Sequence, residues 1–164
     1  MASWVEKIVG IESPVHVDEV VRRIRDAAGV QRAGTRVREA VGNAIRHCVQ
    51  RGTVAVRGEF LWAPGMTTPT VRDRSGLPDS SRRLELIAPE EVQALAEELV
   101  RRAFSIEAVE LVAEIARLLG FERVTPEMRS RLSRDLAALV ASGRLVSDGA
   151  VLRPSDSGMS RGER

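Results

Sequence analysis

The chain has 164 residues, 29% of them charged and 43% hydrophobic, and its formal net charge is only +2. This balance is typical of a globular protein and excludes a disordered polycation. No apolar run approaches the roughly 20 residues that a membrane span needs, and the first residues lack the basic and then apolar order of a signal peptide. We therefore expect a cytoplasmic protein that does not enter membranes.

The first 62 residues predict three helices followed by a β-hairpin. The segment SWVEKIVGI is typical of a short first helix, and apolar residues recur at helical spacing through a second helix that Gly29 ends. A third helix is predicted from about Thr35 to Arg51. The residues expected on its inward side are Val37, Ala40, Val41, Ala44, Ile45, Cys48 and Val49. The strands TVAV and EFLW, joined by the turn Arg57-Gly58, predict the hairpin.

A second copy of this pattern follows 91 residues later. When the chain is shifted by 91 positions, Glu19, Ile24 and Gly29 meet Glu110, Ile115 and Gly120. The matches continue without a gap through a second hairpin, where Asp148-Gly149 is the predicted turn. Such self-similarity indicates two structural repeats.

Three helices and a terminal hairpin are the elements of a winged helix, a form of helix-turn-helix domain. We predict a mainly α protein with small β-hairpins (class α+β), built from two tandem winged-helix domains at 1–62 and 86–154. The segment 63–85 is predicted to be a linker or strap, and 155–164 a disordered tail. Arg72, Asp73 and Arg74 are expected to fold back onto one domain; a flexible spacer is the alternative.

Several stretches of the chain closely resemble an uncharacterised bacterial domain family: ESPVHVDEVVRRI, GVQRAGTRVREAV, FLW, VRDRS, LELIAPEEV and LLGFERV. In that family the domain lies at the C-terminal end of very large superfamily-one helicase proteins, after a restriction-endonuclease-like domain. The resemblance covers about residues 4–153 and implies a setting of DNA unwinding and cutting. It transfers no catalytic residues. Copy two departs from the pattern, because RVTPEMR stands where copy one has RAGTRVR.

The residue types do not assemble into an active site. There is no Gly-rich phosphate loop, and two histidines with one cysteine cannot supply a structural zinc site. Cys48 is expected to be a buried inert thiol and His16 a helix cap, whereas the Glu pairs at 90–91 and 97–98 are expected to be solvated. The sequence predicts no enzyme, no cofactor and no metal; any catalysis is expected in other segments of a larger helicase or nuclease parent.

The polar face of the third helix predicts a nucleic-acid contact. Positions 32, 36, 39, 43, 46 and 50 lie along one face, opposite the apolar residues. Arg, Asn and Gln contact phosphates and purine edges, and the wing tip could reach an adjacent groove. The predicted nucleic-acid-binding residues are Arg32, Arg36, Asn43, Arg46 and Arg57. Residues 14–64 hold nine Arg against five Asp or Glu, whereas 86–154 hold nine against eleven.

We therefore predict a non-catalytic accessory module that binds double-stranded DNA weakly through domain 1. Domain 2, where alanines and Glu127 replace much of the polar face, is expected to dock on the helicase or nuclease domains of a parent protein or partner. The alternatives are a protein-docking module with no nucleic-acid contact and a structural cap with no ligand.

Overall fold

A computed structural model describes residues 1–29 and 34–155. This part of the chain is mixed α+β, with six α-helices and two small three-stranded antiparallel sheets. It divides into two units: unit 1 comprises Met1–Thr70 and Asp79–Ala88, and unit 2 comprises Val71–Pro78 and the chain from Pro89 onward. Arg32 and the predicted tail from residue 156 lie outside the described residues.

Unit 1 packs three helices against a short sheet. Its elements are α1 (Ala2–Glu12), β1 (Val15–His16), α2 (Val17–Ala27), α3 (Thr35–Gln50), β2 (Ala55–Arg57) and β3 (Phe60–Trp62). The sheet order is β1-β3-β2, and a 3-10 turn follows at Leu84–Leu86. The core contains residues from the three helices and from β1 and β3, including Val5, Ile24, Cys48 and Leu61. Cys48 is fully buried, as predicted.

Unit 2 repeats the same order of elements. They are α4 (Pro89–Ala103), β4 (Ile106–Glu107), α5 (Ala108–Leu118), α6 (Pro126–Ala141), β5 (Leu145–Asp148) and β6 (Val151–Pro154), with sheet order β4-β6-β5. The bounds of β4, α5 and α6 are those of β1, α2 and α3 shifted by 91 residues. The predicted register of the repeat is therefore confirmed. None of the helices in the described chain is long and apolar enough to cross a membrane.

Side-chain caps set where two of the helices begin. The Asp18 amide donates to Nδ1 of His16 at 3.1 Å, which confirms the predicted cap of α2. In unit 2 the Thr125 hydroxyl accepts from the Met128 amide at 3.3 Å, and Pro126 occupies the first position of α6. Gly34 stands at the position of Thr125 and provides no side-chain hydrogen bond to α3. The N-terminus of α3 is thus less specified than that of α6.

Both hairpin turns lie one residue further along the chain than predicted. Arg57 pairs with Phe60 and Asp148 with Val151, so the turn residues are Gly58-Glu59 and Gly149-Ala150. The glycines have φ of 56° and 63°, whereas the residues after them do not have positive φ. This is the pattern of a type II′ turn, which needs glycine at its first central position. The predicted Asp-Gly turn would have required positive φ at Asp148 as well.

The buried side of α3 is narrower than predicted. Val41, Ala44, Ile45 and Cys48 are buried, whereas Ala40 and Val49 are exposed. The buried residues follow the spacing i, i+3, i+4 and i+7, which is the stripe that a helix buries when partners cover one side only. Apolar character at Ala40 and Val49 therefore does not indicate burial.

A buried ion pair fixes the segment 71–78 to unit 2. Arg74 is 4% exposed, and its Nη1 and Nη2 donate to Oε1 and Oε2 of Glu91, each at 2.8 Å. The same Glu91 Oε1 accepts from the amide of Arg72 at 2.9 Å, and Arg74 Nη1 also donates to the Arg72 carbonyl at 2.8 Å. The segment is thus a strap, and Glu91, at 0% exposure, is not the solvated charge that was predicted.

Gly120 lets the strap approach α5 closely. A Cβ at this position would lie 2.3 Å from the amide nitrogen of Ser75, and its φ is +92°. Only glycine fits both the distance and the backbone conformation. The glycine that ends α5 therefore also forms part of the strap's binding surface.

We expect Glu91→Ala to destabilise unit 2 by about 3–5 kcal/mol, because it leaves the Arg74 guanidinium buried without its partner. Urea unfolding followed by circular dichroism measures the change. Glu114→Ala is the matched control, since Glu114 pairs with Arg117 on the exposed surface of α5 and such pairs contribute about 0–1 kcal/mol. Equal losses in the two variants would contradict the role of the buried pair.

A partly buried carboxylate, Asp135 on α6, is poorly compensated. Burial raises the pKa of Asp135 above its ordinary value, although Arg131 and Arg134 act to lower it. Its Oδ2 has no hydrogen-bond partner among the described residues and lies 3.5 Å from Nε of Arg131. The equivalent residue in unit 1 is the buried Ala44, so the shared fold does not require an acid here.

We expect Asp135→Asn to raise the melting temperature at neutral pH. An acid whose pKa is raised in the folded state holds its proton more tightly there than in the unfolded state. Its charged form therefore lowers the free energy of unfolding at pH values above the folded-state pKa, and this loss of stability disappears as the pH falls through that pKa. The gain should therefore shrink at acidic pH. Thermal unfolding at several pH values tests this; a lower melting temperature at neutral pH would mean that the attraction to Arg131 outweighs the burial.

Candidate nucleic-acid interface

The predicted polar face of α3 is exposed along its whole described length. Arg36, Glu39, Asn43, Arg46 and Gln50 all face solvent, opposite the buried stripe. No carboxylate of a described residue forms an ion pair with Arg36 or Arg46. Their positive charges are therefore available to a ligand.

A depression of about 490 Å³ lies on this face, lined by Arg38, Glu39, Gly42, Asn43 and Arg46. Gly42 has no side chain to fill it, and the nearest atom to a Cβ built there is Nη1 of Arg46, at 3.8 Å. Nη2 of Arg46 donates to Oδ1 of Asn43, so a guanidinium and an amide lie side by side at its edge. These two groups donate to phosphates and base edges.

Arg38 belongs to the same surface, although it was not among the predicted binding residues. Its Nη1 lies 2.8 Å from Oδ1 of Asp18, and the two side chains are 59% and 56% exposed. An exposed pair of this kind contributes little to stability, so Arg38 can exchange Asp18 for another anion. The spacing Arg38, Gly42, Arg46 (i, i+4, i+8) was the signal in the sequence that could have identified it.

Arg57 occupies a different setting from the free wing tip that was predicted. It ends β2, and its guanidinium carbon lies 4.2 Å from the centroid of the Trp62 ring. Its Nη2 also donates to the carbonyl of Met66 at 2.8 Å. The side chain is exposed but is engaged with its own hairpin and the turn that follows, so moving it to a phosphate would cost a cation–π contact.

The equivalent face of unit 2 has a different chemistry. Glu127, Arg134, Ala137 and Ala141 stand where unit 1 has Arg36, Asn43, Arg46 and Gln50, and all four are exposed. Hydrogen bonds from a backbone amide and from Thr125 hold the pKa of Glu127 below its ordinary value, so the residue stays anionic. At the wing, Asp148 pairs with Arg153 at 3.2 Å. An anion would therefore meet the negative charge of Glu127 where unit 1 has Arg36.

Unit 2 has a mainly apolar groove beside α6. It measures about 390 Å³ and is lined by Ala108, Ser133, Leu136, Ala137, Val140, Ala141, Ser147 and Leu152. Ser133, Ala137 and Ala141 correspond to Gly42, Arg46 and Gln50 of unit 1. Small side chains on an exposed helix face allow another surface to approach closely.

We expect Gly42→Ala to stabilise unit 1 by about 0.5–1 kcal/mol, because alanine replaces glycine inside a helix and its methyl group meets no atom closer than 3.8 Å. Gly52→Ala is the control, since Gly52 has a φ of +70° that disfavours any side chain. It should lower the melting temperature where Gly42→Ala raises it. A destabilising Gly42→Ala would show that this glycine is required by the fold rather than tolerated by it.

Comparison with known proteins identifies a similarity to an uncharacterised family. A family described as a protein of unknown function (DUF3320) matches residues 1–39, a segment that includes α1, β1, α2 and the beginning of α3. No curated protein and no solved structure matches the chain. In residues 1–39 the chain is thus similar to an uncharacterised domain family.

Proposed function

We propose that the chain is a non-catalytic, tandem winged-helix accessory module that binds duplex DNA weakly through unit 1. In each unit the third helix would be the recognition helix and the hairpin the wing. The parent or partner would be a helicase or nuclease that unwinds or cuts DNA, as the resemblance of the sequence implies. Unit 2 would dock on protein.

The observation that carries the proposal is the contrast between the equivalent helix faces of the two units. Both helices have 16 residues and the same bounds in the repeat. The α3 face presents two arginines, Arg36 and Arg46, with Glu39, Asn43 and Gln50, whereas the α6 face presents a glutamate, a serine, one arginine and two alanines. Since the fold is maintained with either set, the cationic side chains of α3 are not needed for packing and are available for an anionic ligand.

The arrangement of groups favours duplex over single-stranded DNA. A 16-residue helix is about 24 Å long and can lie in a major groove about 12 Å wide. Single-stranded binding relies on aromatic rings on which bases stack. In the described chain Phe60 and Trp62 are buried, and the exposed Trp4 and Phe104 lie in different units, so no stacking platform accompanies the α3 face.

Protein docking with no DNA contact is the second candidate, and the apolar groove beside α6 favours it. Its small and apolar lining suits a packed protein surface, and exposed apolar side chains occur in both units, among them Val56, Phe104 and Val146. Winged helices are used for both purposes, so the fold alone does not separate the two candidates.

A fluorescence-anisotropy titration of a labelled duplex at 50 and 200 mM salt tests the proposal. Binding with Kd in the ~10⁻⁴–10⁻⁶ M range of non-specific contacts is expected. Arg36→Ala with Arg46→Ala should weaken binding to every sequence and reduce the salt slope by about one for each lost phosphate contact.

The matched control is Arg129→Ala with Arg134→Ala, which removes the same charge from unit 2. It should change the affinity much less. Equal losses in the two double variants would contradict the assignment to unit 1. A wild-type protein that shows no salt-dependent binding would leave the docking candidate.

A further inference from the structure

Unit 1 has a second feature rich in arginine, a cleft of about 210 Å³ bounded by α2, the beginning of α3 and the segment 79–88. Its charged lining consists of four arginines and two carboxylates: Arg22, Arg25, Arg38, Arg83, Asp18 and Glu19. Ser80 completes its polar lining. Arginine exceeds acid by two among these lining residues, and Asp26 and Glu85 beside the cleft pair with Arg25 and Arg83. Nothing in the predicted function had used Arg22, Arg25 or Arg83.

The arginines of the cleft are held in place by their neighbours. Nε of Arg22 donates to Glu19 at 3.0 Å, and Nη1 of Arg22 lies 3.4 Å from the Ser80 hydroxyl. The Arg22 side chain is only 14% exposed. Ser80 accepts from Arg22 and can still donate its own O–H to an anion. Ordering these donors before the ligand arrives lowers the entropy that binding must overcome.

The outer arginines can change partners at little cost. Nε of Arg83 lies 3.4 Å from Oε2 of Glu85, and the Arg83 side chain is 60% exposed. Arg38 and Asp18 form the exposed pair already described. Nε of Arg25 donates to Asp26 at 2.8 Å, and the Arg25 side chain is half-buried, at 28% exposure. Exposed pairs contribute about 0–1 kcal/mol, whereas arginine forms strong paired hydrogen bonds with a phosphate.

The repeat shows that the fold does not require this cleft. The helix α5 has the bounds of α2 shifted by 91 residues, yet Val109, Ala113 and Ala116 stand where α2 has Asp18, Arg22 and Arg25. Two cations and one acid of the cleft are therefore replaced by apolar residues in the other copy. The shared fold therefore does not require the charged residues that α2 contributes to the cleft.

Arg38 joins the cleft to the α3 face. It lines the depression around Gly42 and also the cleft between α2 and residues 80–86. A nucleic-acid strand that contacts Arg46 and Asn43 would reach the cleft through Arg38 without leaving unit 1. Because successive phosphates lie along a strand, one cationic surface beside another is the arrangement that tracks a backbone.

We propose that this cleft, formed by Arg22, Arg25, Arg38, Arg83 and Ser80, binds a backbone phosphate of the duplex next to the segment that α3 contacts. The inference rests on the proposed function and adds a second contact site to it. The ligand chemistry is a phosphate group, which a nucleic acid or free inorganic phosphate can supply.

The test compares Arg25→Ala with Arg83→Ala against Arg101→Ala with Arg102→Ala in the full chain, by duplex anisotropy at 50 and 200 mM salt. The control pair lies in unit 2, where both arginines are exposed and pair with Glu98, so it removes the same charge. The affinity for the duplex should fall when the salt is raised from 50 to 200 mM. Each lost phosphate contact should reduce that fall by a factor of about three to four, because each contact contributes about 0.9 to the salt slope. The control should leave that change as in the wild type.

Circular dichroism checks folding, and Arg83→Ala alone provides a milder variant because Arg83 is on the surface. Inorganic phosphate is titrated separately against chloride at equal ionic strength, with the amide NMR signals of residues 80–83 as the readout. Shifts in these signals that disappear in the double variant support phosphate chemistry in the cleft.

The outcomes separate this inference from the proposed function. A duplex salt slope lowered by the cleft variant and unchanged by the control supports the inference. If the α3 variants lose affinity and both cleft variants do not, the inference is overturned while the proposed function stands. If the cleft variant loses affinity but Arg36→Ala with Arg46→Ala does not, the cleft stands and the assignment to α3 fails. If inorganic phosphate shifts the NMR signals but the cleft variants leave duplex binding unchanged, the cleft binds free phosphate and the proposal that it binds a phosphate of the duplex is overturned.

Discussion

The pairing of a two-residue strand with the hairpin positions everything else in each unit. In unit 1, Val15 pairs with Leu61 and His16 with Phe60, and the Val17 amide donates to the Glu59 carbonyl at 3.0 Å. The strand β1 leads directly into α2, so these bonds attach the hairpin to the start of that helix. Unit 2 repeats the arrangement, with Ile106 opposite Leu152 and the Ala108 amide bonded to the Ala150 carbonyl at 2.9 Å.

This constraint determines which surface is left for a ligand. With the hairpin attached to α2, the third helix is covered on one side by α1, α2 and the sheet, and its opposite face remains exposed. The exposed face is therefore a consequence of topology and is present in both units. The side chains on this face differ between the units, because no packing contact determines which residues stand there. One fold can thus carry a cationic face in unit 1 and a groove of small apolar residues in unit 2.

Arginine has two separate functions in this chain, and burial distinguishes them. Arg74 is buried with Glu91, and both side chains also form a hydrogen bond with the backbone of Arg72 in the strap. Removing one charge there would leave the other buried, which is expensive. Arg38 and Arg83 form pairs that water screens, so their partners can be replaced by a phosphate. The same residue type stabilises the strap in one place and supplies exchangeable charge in the other.

The sequence by itself determined the order of the helices and hairpins, the 91-residue register, the limits of α3 to within a residue and the exposed polar face of that helix; the short strands β1 and β4 were not predicted. Periodicity and glycine at helix ends are local signals, so they can be read without the fold. The tertiary structure decided what depends on distant neighbours: that Glu91 is buried by Arg74, that Arg57 lies on Trp62, and that Arg22, Arg25, Arg38 and Arg83 line one cleft. Residues 22, 38 and 83 come from three segments far apart in the chain, and only folding brings them together. No pattern along the sequence records a contact between such segments, because spacing describes one element at a time.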